Sequence, residues 1–253
     1  MIKLNAVLAD VAQTSRIYDF WRIDWIPDTD TSLLWAARKI PAADPNGDYS
    51  LDQSENILEV IFKVLDNLAA AGPLLDNAMR LLYSRLTFTY GGIKVSGLLR
   101  NMLPVDRRAP LRVAMAEWSF NPAGLNNLMG RCKEYIHQHG WHNLPIEIEL
   151  TKTDNYFMSA WNWPGLDYII KFNYMCLTDV TQTPAEKEAI FVHLHGLWDH
   201  LLQAGIPFKA HWGKINFMDY KFVNDHFEFD QFKPFIRPLF LNPYLAERFY
   251  QVS

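Results

Sequence analysis

The spacing of hydrophobic positions switches between a period of two and a helical period along the C-terminal half of this chain. Four segments alternate in hydrophobicity or are rich in β-branched and aromatic residues, as strands are: 111–120, 146–151, 167–175 and 208–212. Two further segments, 122–137 and 184–203, repeat apolar residues at the spacing of an amphipathic helix. The order from Pro110 to Lys214 is therefore strand, helix, strand, strand, helix, strand.

Capping signals support both predicted helices. Asn121 followed by Pro122 is typical of a helix start, and Gly140 follows the last turn of the first helix. The sequence from Thr183 to Glu186 has the pattern of a capping box. The element order is that of a split βαβ unit, so we predict an α+β fold, in which an antiparallel, ferredoxin-like sheet carries helices on one face. The other face is then available to cover a ligand or a partner.

The N-terminal part adds a strand pair and a helical insertion. Residues 17–26 and 31–40 are rich in aromatic and apolar residues and flank a proline turn, which predicts two paired strands. Residues 54–71 and 74–86 have apolar stripes at helical spacing within a predicted insertion over 54–100. We interpret these stripes as core or partner contacts, with docking to a membrane surface as the minor alternative.

We expect residues 1–253 to form one domain in four parts. The parts are a strand pair over 17–40, the insertion over 54–100, a core over 110–214 and a tail over 215–253. A hydrophobic content of 49% and an aromatic content of 14% predict a large packed core. The net charge of −4 argues against nucleic acid as a partner, because phosphate binding needs clustered cationic side chains.

Cysteine content and hydropathy favour a cytoplasmic protein. Cys132 and Cys176 are the two cysteines, and their separation fits neither a zinc site nor a disulfide framework, so we expect a reducing compartment. The N-terminal residues lack the apolar core of a signal peptide, and no segment is apolar enough to span a membrane. Peripheral association with a membrane is the alternative.

Two carboxylates on a predicted strand are candidates for function. Glu147 and Glu149 share one face of a strand whose other face is apolar. On a solvated face they need no partner. In a site, such a carboxylate hydrogen-bonds a substrate hydroxyl, and a cation such as Lys171 or Lys214 is then expected beside the pair.

The segment from His211 to Lys214 places an imidazole, an indole and an ammonium group within four positions. A bulge at Gly213 would bring His211 and Lys214 to one side of the strand. Taken alone, a packed histidine and a solvated lysine are the simpler interpretation. The other histidines lack the i, i+4 spacing of a zinc site, and we predict no metal site.

The same segment resembles a known family. The His-Trp-Gly-Lys run and the later Phe-Leu-Asn-Pro-Tyr-Leu, residues 240–245, resemble the C-terminal part of the aldonolactone oxidases. These FAD enzymes include L-gulonolactone oxidase, D-arabinono-1,4-lactone oxidase and the related alditol oxidases. Residues 17–40, the strand from Glu117 to Phe120 and the tail from Phe232 are also similar to the family, in the same order.

The resemblance implies roles for single residues. The catalytic candidates are Glu147, which binds a substrate hydroxyl, and His211 and Lys214, which lie near the flavin and stabilise developing negative charge. Asn242 in the tail is implied to contact the cofactor. Further candidates for substrate binding are Glu149, Lys171 and Glu117. Glu149 stands where the family has an arginine, and this charge reversal argues against intact oxidase activity.

Family members also carry an FAD-binding domain with glycine-rich phosphate-binding segments, and this sequence contains none. We therefore expect FAD to be held mainly by a domain or subunit outside this chain, and the chain alone to be inactive. The predicted function is substrate binding in an FAD-dependent oxidation of a sugar lactone or polyol, with hydride transfer from a CH–OH carbon. The alternative is a stand-alone, non-catalytic ligand-binding or interaction module descended from that domain.

Overall fold

The strands that the structure describes lie in a single antiparallel sheet. The computed structural model describes residues 2–3, 17–25, 31–40, 112–140, 145–178, 183–237 and 241–250. The strands in these ranges are β1 Ile2–Lys3, β2 Phe20–Trp25, β3 Thr31–Ala37, β4 Arg112–Phe120, β5 Ile146–Lys152, β6 Tyr168–Thr178 and β7 Lys209–Ala210. Their spatial order is β1-β3-β2-β5-β6-β4-β7, and every pairing is antiparallel.

The two helices predicted in the core, over 122–137 and 184–203, begin and end close to the predicted positions. The helices of the described residues are α1 Leu125–His139, α2 Pro184–Gln203, α3 Tyr220–His226, α4 Phe229–Phe232 and α5 Pro243–Phe249, with 3-10 turns over Pro122–Gly124 and Lys233–Phe235. The capping box between Thr183 and Glu186 is present at the start of α2. Asn121 caps the 3-10 turn that precedes α1 rather than α1 itself. Gly140 ends α1 with a φ of 86°, a conformation that favours glycine.

The predicted α+β fold is confirmed. The elements β4, α1, β5, β6, α2 and β7 follow one another along the chain, and their strands are ordered β7-β4-β6-β5 in the sheet. This is the strand order of a ferredoxin-like core. The predicted N-terminal pair is present as β2 and β3, and β2 extends the core by pairing with β5.

Aromatic side chains fill the space between the sheet and α2. The rings of Trp118 on β4 and Phe172 on β6 stack with centroids 6.2 Å apart, and Trp198 of α2 packs edge-on against Trp118. Phe208, just before β7, contacts both Trp118 and Trp198. Each such ring contributes roughly 1.5–3 kcal/mol through burial, so this layer holds the helices on one face of the sheet.

The predictions for the helical insertion lie outside the described residues. The helices over 54–71 and 74–86, and the insertion that contains them, lie there entirely. Among the described residues, no helix is both long and apolar enough to cross a membrane.

Candidate functional site

Two rows of polar side chains cross the face of the sheet opposite α1 and α2. The first row consists of register partners on β2, β5, β6, β4 and β7: Arg22, Glu149, Lys171, Ser119 and Lys209. The second row lies on β2, β5, β6 and β4: Asp24, Glu147, Asn173 and Glu117. Register partners project to the same side of a sheet, so both rows share one surface, which we call the polar face.

Arg22 links the carboxylates of the second row. Its Nε lies 2.9 Å from Oδ1 of Asp24, and a terminal guanidinium nitrogen lies 3.2 Å from Oε1 of Glu147. Burial disfavours the charged guanidinium, but the two carboxylates outweigh it, and the pKa of Arg22 is raised. Asn173 donates its Nδ2–H to Oε2 of Glu147 over 3.3 Å. Both oxygens of Glu147 are therefore held in place.

The same surroundings make Glu147 a better proton acceptor. Burial is the largest cause of its raised pKa, and the charges of Asp24 and Glu149 add to it. The attraction of Arg22 and the hydrogen bond from Asn173 act in the opposite direction but do not cancel the rise. A carboxylate of raised pKa that still has a fixed orientation is suited to accept a hydrogen bond or a proton from a ligand hydroxyl.

Lys171 is the cation that was predicted beside the Glu147 and Glu149 carboxylates. Its Nζ lies 2.6 Å from Oε2 of Glu149, and the two side chains are only 17% and 26% exposed. The charge of Glu149 is thus compensated within the sheet. The ammonium group also lies 5.6 Å from the centre of the Trp161 ring, which places Lys171 between a carboxylate and an aromatic face.

The His-Trp-Gly-Lys segment forms a tight turn at the sheet edge. The backbone N–H of His211 donates to the carbonyl of Glu117, and that of Ile215 donates to the carbonyl of Met115. Between these two contacts, the N–H of Lys214 donates to the carbonyl of His211 over 3.2 Å. The strand was predicted to reach Trp212, but β7 ends at Ala210 because this turn interrupts the pairing with β4.

The turn also determines which tautomer of the neutral His211 ring fits. The backbone N–H of Gly213 donates to Nδ1 of His211 over 2.9 Å, so Nδ1 must offer a lone pair. In the neutral ring the proton then lies on Nε2, which can donate to a ligand. A Cβ atom on residue 213 would lie 3.2 Å from Cε1 of the ring, so glycine is what allows this close contact.

The C-terminal tail is tied to the turn by side-chain contacts. Asn216 donates its Nδ2–H to the carbonyl of Lys214 over 2.9 Å and is hydrogen-bonded to the hydroxyl of Tyr244 over 2.8 Å. Trp212 packs edge-on against Phe249 of α5, with ring centroids 5.9 Å apart. Asn242 accepts a hydrogen bond from the backbone N–H of residue 245 as the cap of α5. The His-Trp-Gly-Lys segment and the described part of the tail motif over 240–245 are therefore close together in the structure.

The connection between β5 and β6, residues 153–167, crosses part of the polar face, and we call it the aromatic loop. Ser119 donates to the carbonyl of Ala160 and accepts a hydrogen bond from the Trp163 indole over 3.0 Å. Lys209 donates to the carbonyl of Asn162, and burial lowers the pKa of this lysine. These contacts fix the loop above β4 and β7.

The polar face brings together most of the predicted site residues. Glu147, Glu149, Lys171 and Glu117 lie on it, and His211 adjoins Glu117 at the sheet edge. The backbone carbonyl of Lys214 contacts Asn216, which is bonded to Tyr244 of the tail, and Asn242 caps α5 in that tail. Sequence reasoning missed four further residues: Arg22, Asp24, Asn173 and Trp161. The alternation of residues 20–25, which is apolar on one side and charged on the other, was the available signal for the first two.

The other buried cysteines and histidines in the described part of the chain do not extend the site. Cys132 and Cys176 are free and buried, and burial raises the pKa of both thiols, that of Cys176 to about 12. His193 is enclosed by aromatic residues, with Nε2 2.8 Å from the Tyr174 hydroxyl. Within the described part of the chain, no three His, Cys, Asp or Glu side chains are grouped as ligands for a metal ion.

Fold and site together define an α+β domain with one helix-covered and one charged sheet face. A sequence model of the D-arabinono-1,4-lactone oxidase family matches residues 1–239. The chain therefore belongs to that family, and the predicted resemblance is confirmed. Oxidases of this family are generally FAD-dependent. No individual curated protein matches the chain.

Proposed function

We propose that this chain is the substrate-binding, flavin-covering domain of an FAD-dependent oxidoreductase that acts on a sugar lactone or polyol. The observation that carries the proposal is the polar face, where the Glu147 carboxylate of raised pKa lies on one surface with Lys171. Family membership adds the reaction class. When bound, FAD supplies the hydride acceptor for oxidation of a CH–OH carbon.

The side chains at the sheet edge fit the ring end of a flavin. The pyrimidine edge of the ring carries carbonyl oxygens and gains negative charge on reduction, so it favours hydrogen-bond donors and cations. His211 offers an N–H through Nε2, and Lys214 offers an ammonium group. Asn242 would act with them by holding the tail against the turn. We assign the phosphate end of the cofactor to a domain or subunit outside the residues matched here.

Each remaining group has a role toward the substrate. Glu147 accepts a hydrogen bond from a substrate hydroxyl, while Arg22 and Asn173 fix its orientation. Lys171 and Glu149 form an ion pair at the position of the family arginine, and the Lys171 ammonium group can donate a further hydrogen bond to the substrate. The aromatic loop excludes water from the side of the face near β4.

A spectral titration tests this proposal. The purified chain is titrated with FAD, alone and with a co-purifying FAD-binding partner, and D-arabinono-1,4-lactone is then added. We expect the flavin bands to shift when chain and partner are both present, and to shift again with the lactone. A flavin spectrum that responds to the partner but never to this chain would overturn the proposal.

A second function is favoured by one observation. Glu149 replaces the family arginine and is already neutralised by Lys171, so the domain can keep its fold and pocket without oxidase activity. In that case the chain is a stand-alone ligand-binding or interaction module. Replacing Glu149 with arginine separates the two proposals. Turnover in the reconstituted enzyme should rise if the position faces the flavin, and no gain, or a loss, counts against that placement. Absence of turnover in both the wild-type chain and the variant supports the binding module.

Two further assignments belong with this proposal. We assign residues 1–253 to a single covering domain, since β2 and β3 continue the core sheet without a break. We also assign the protein to the cytoplasm, because both of its cysteines are free thiols.

A further inference from the structure

On the polar-face side of β4, three buried polar atoms have no hydrogen-bond partner among the described residues. They are Oε1 of Glu117, Oδ1 of Asn173 and the indole Nε1 of Trp161. Glu117 is 7% exposed and Asn173 is 5% exposed, so neither side chain turns out to solvent. Leaving such atoms unpaired costs free energy of folding, so a group of them in one place indicates a site where a ligand completes the hydrogen bonds.

Two of the three side chains are direct neighbours, and the third lies close to residues that flank them. Glu117 and Asn173 are register partners on β4 and β6, and both project onto the polar face. Trp161 contacts Lys171 of β6 on one side and His211, which follows β7, on the other. Because β4 lies between β6 and β7 in the sheet, we infer that the indole ring lies over the part of β4 that contains Glu117 and Ser119.

The orientation of the Asn173 amide follows from its one contact. The Glu147 carboxylate can only accept, so the amide must turn Nδ2 toward it, as it does at 3.3 Å. Oδ1 is then directed away from β5 and toward β4. The polar face consequently has an amide oxygen beside a carboxyl oxygen, and the unpaired indole N–H of Trp161 belongs to a ring that lies near the same strands.

We propose that Glu117, Asn173 and Trp161 form a recognition site for two neighbouring hydroxyl groups of the ligand. One hydroxyl donates to Glu117 and accepts from the Trp161 indole, and the second donates to Asn173. A hydroxyl satisfies this arrangement because it is both a donor and an acceptor, unlike a carbonyl or an ammonium group. The choice of a polyhydroxylated lactone as the ligand rests on the proposed function. The assignment of the three side chains to hydroxyl groups does not.

The test follows the indole N–H signal of Trp161 in 15N-labelled full-length chain, assigned with a Trp161→Phe variant. D-arabinono-1,4-lactone should shift this signal saturably, whereas γ-butyrolactone, which has the same ring and no hydroxyl, should leave it unmoved. Glu117→Leu should weaken binding roughly ten- to a hundredfold, the effect of losing a charge-assisted hydrogen bond. Glu188→Gln, an exposed position on α2, is the matched control and should bind normally.

Stability separates a binding role from a structural role. Glu117→Leu should raise the melting temperature, because it removes a buried carboxyl oxygen that no described residue pairs with. A variant that both loses binding and gains stability supports the site. An unmoved indole signal, an equal response to γ-butyrolactone, or lactone binding unchanged by Glu117→Leu would each overturn it. No FAD is needed, so failure here is distinct from failure of the flavin titration.

Discussion

The ion pair between Lys171 and Glu149 allows the burial of the polar face to be measured. At a separation of 2.6 Å and an effective dielectric constant near 20, the attraction between the two charges is about 6 kcal/mol. The desolvation of two largely buried groups removes most of this gain. We therefore expect a net coupling of about 1–2 kcal/mol, which is above the range of exposed ion pairs.

A double-mutant cycle isolates this coupling. Lys171→Met keeps the hydrocarbon part of the side chain, and Glu149→Gln keeps the shape of the carboxylate. Lys171→Met alone should lower the free energy of unfolding by about 2 kcal/mol, because it leaves the Glu149 carboxylate largely buried without a cation. The double variant should lose less than the sum of the two single variants. The contact of Lys171 with Trp161 is lost in both Lys171 variants, so it cancels from the cycle.

Urea unfolding, followed by circular dichroism, gives the free energies of unfolding for the cycle. A coupling within about 0.3 kcal/mol of zero would refute the reasoning. It would mean that the carboxylates lie on an ordinary solvated strand face, the simpler of the two sequence interpretations.

Three further predictions concern single groups. Glu147→Gln should gain stability relative to wild type as the pH rises from about 4 to 7. The pKa of Glu147 is raised in the folded state, so ionised Glu147 lowers the free energy of unfolding of the wild type, and this effect is absent below the ordinary pKa of a glutamate. Urea unfolding at several pH values checks this, and a relative loss of stability would contradict it. Gly213→Ala should displace the His211 ring, since the new Cβ would lie 3.2 Å from Cε1; unchanged imidazole NMR signals would contradict the described turn. Cys132 and Cys176 should resist a thiol reagent in the folded chain and react in urea, because burial raises the pKa of both thiols; rapid labelling without urea would show that the core opens.

The core fold could be predicted because its signals are local. The alternation of residues 146–151, the capping box from Thr183 to Glu186 and the glycine after α1 each act within a few positions. Together they determine which elements form, and the split βαβ arrangement then limits how they pack. The end of β7 was predicted two residues too late, because the contact between Gly213 and the His211 ring is a feature of the folded turn.

The partners of the site carboxylates could not be predicted in the same way. Arg22 reaches Glu147 only because β2 pairs with β5, and the register between two strands more than a hundred residues apart has no local signal. The same applies to Trp161, whose position over β4 depends on how the aromatic loop crosses the sheet. Sequence reasoning therefore found the carboxylates and the His-Trp-Gly-Lys segment, but neither the turn that this segment forms nor the side chains that orient and enclose the carboxylates.

Anaerobic reduction of the flavin tests the central proposal most directly. The chain, its FAD-binding partner and FAD are mixed without oxygen, D-arabinono-1,4-lactone is added, and the oxidised flavin band is followed over time. We predict that the band bleaches, and that Glu147→Gln slows the bleaching while Glu188→Gln does not. If the lactone leaves the flavin oxidised although it binds to the chain, the domain is a binding module and the oxidoreductase proposal is wrong.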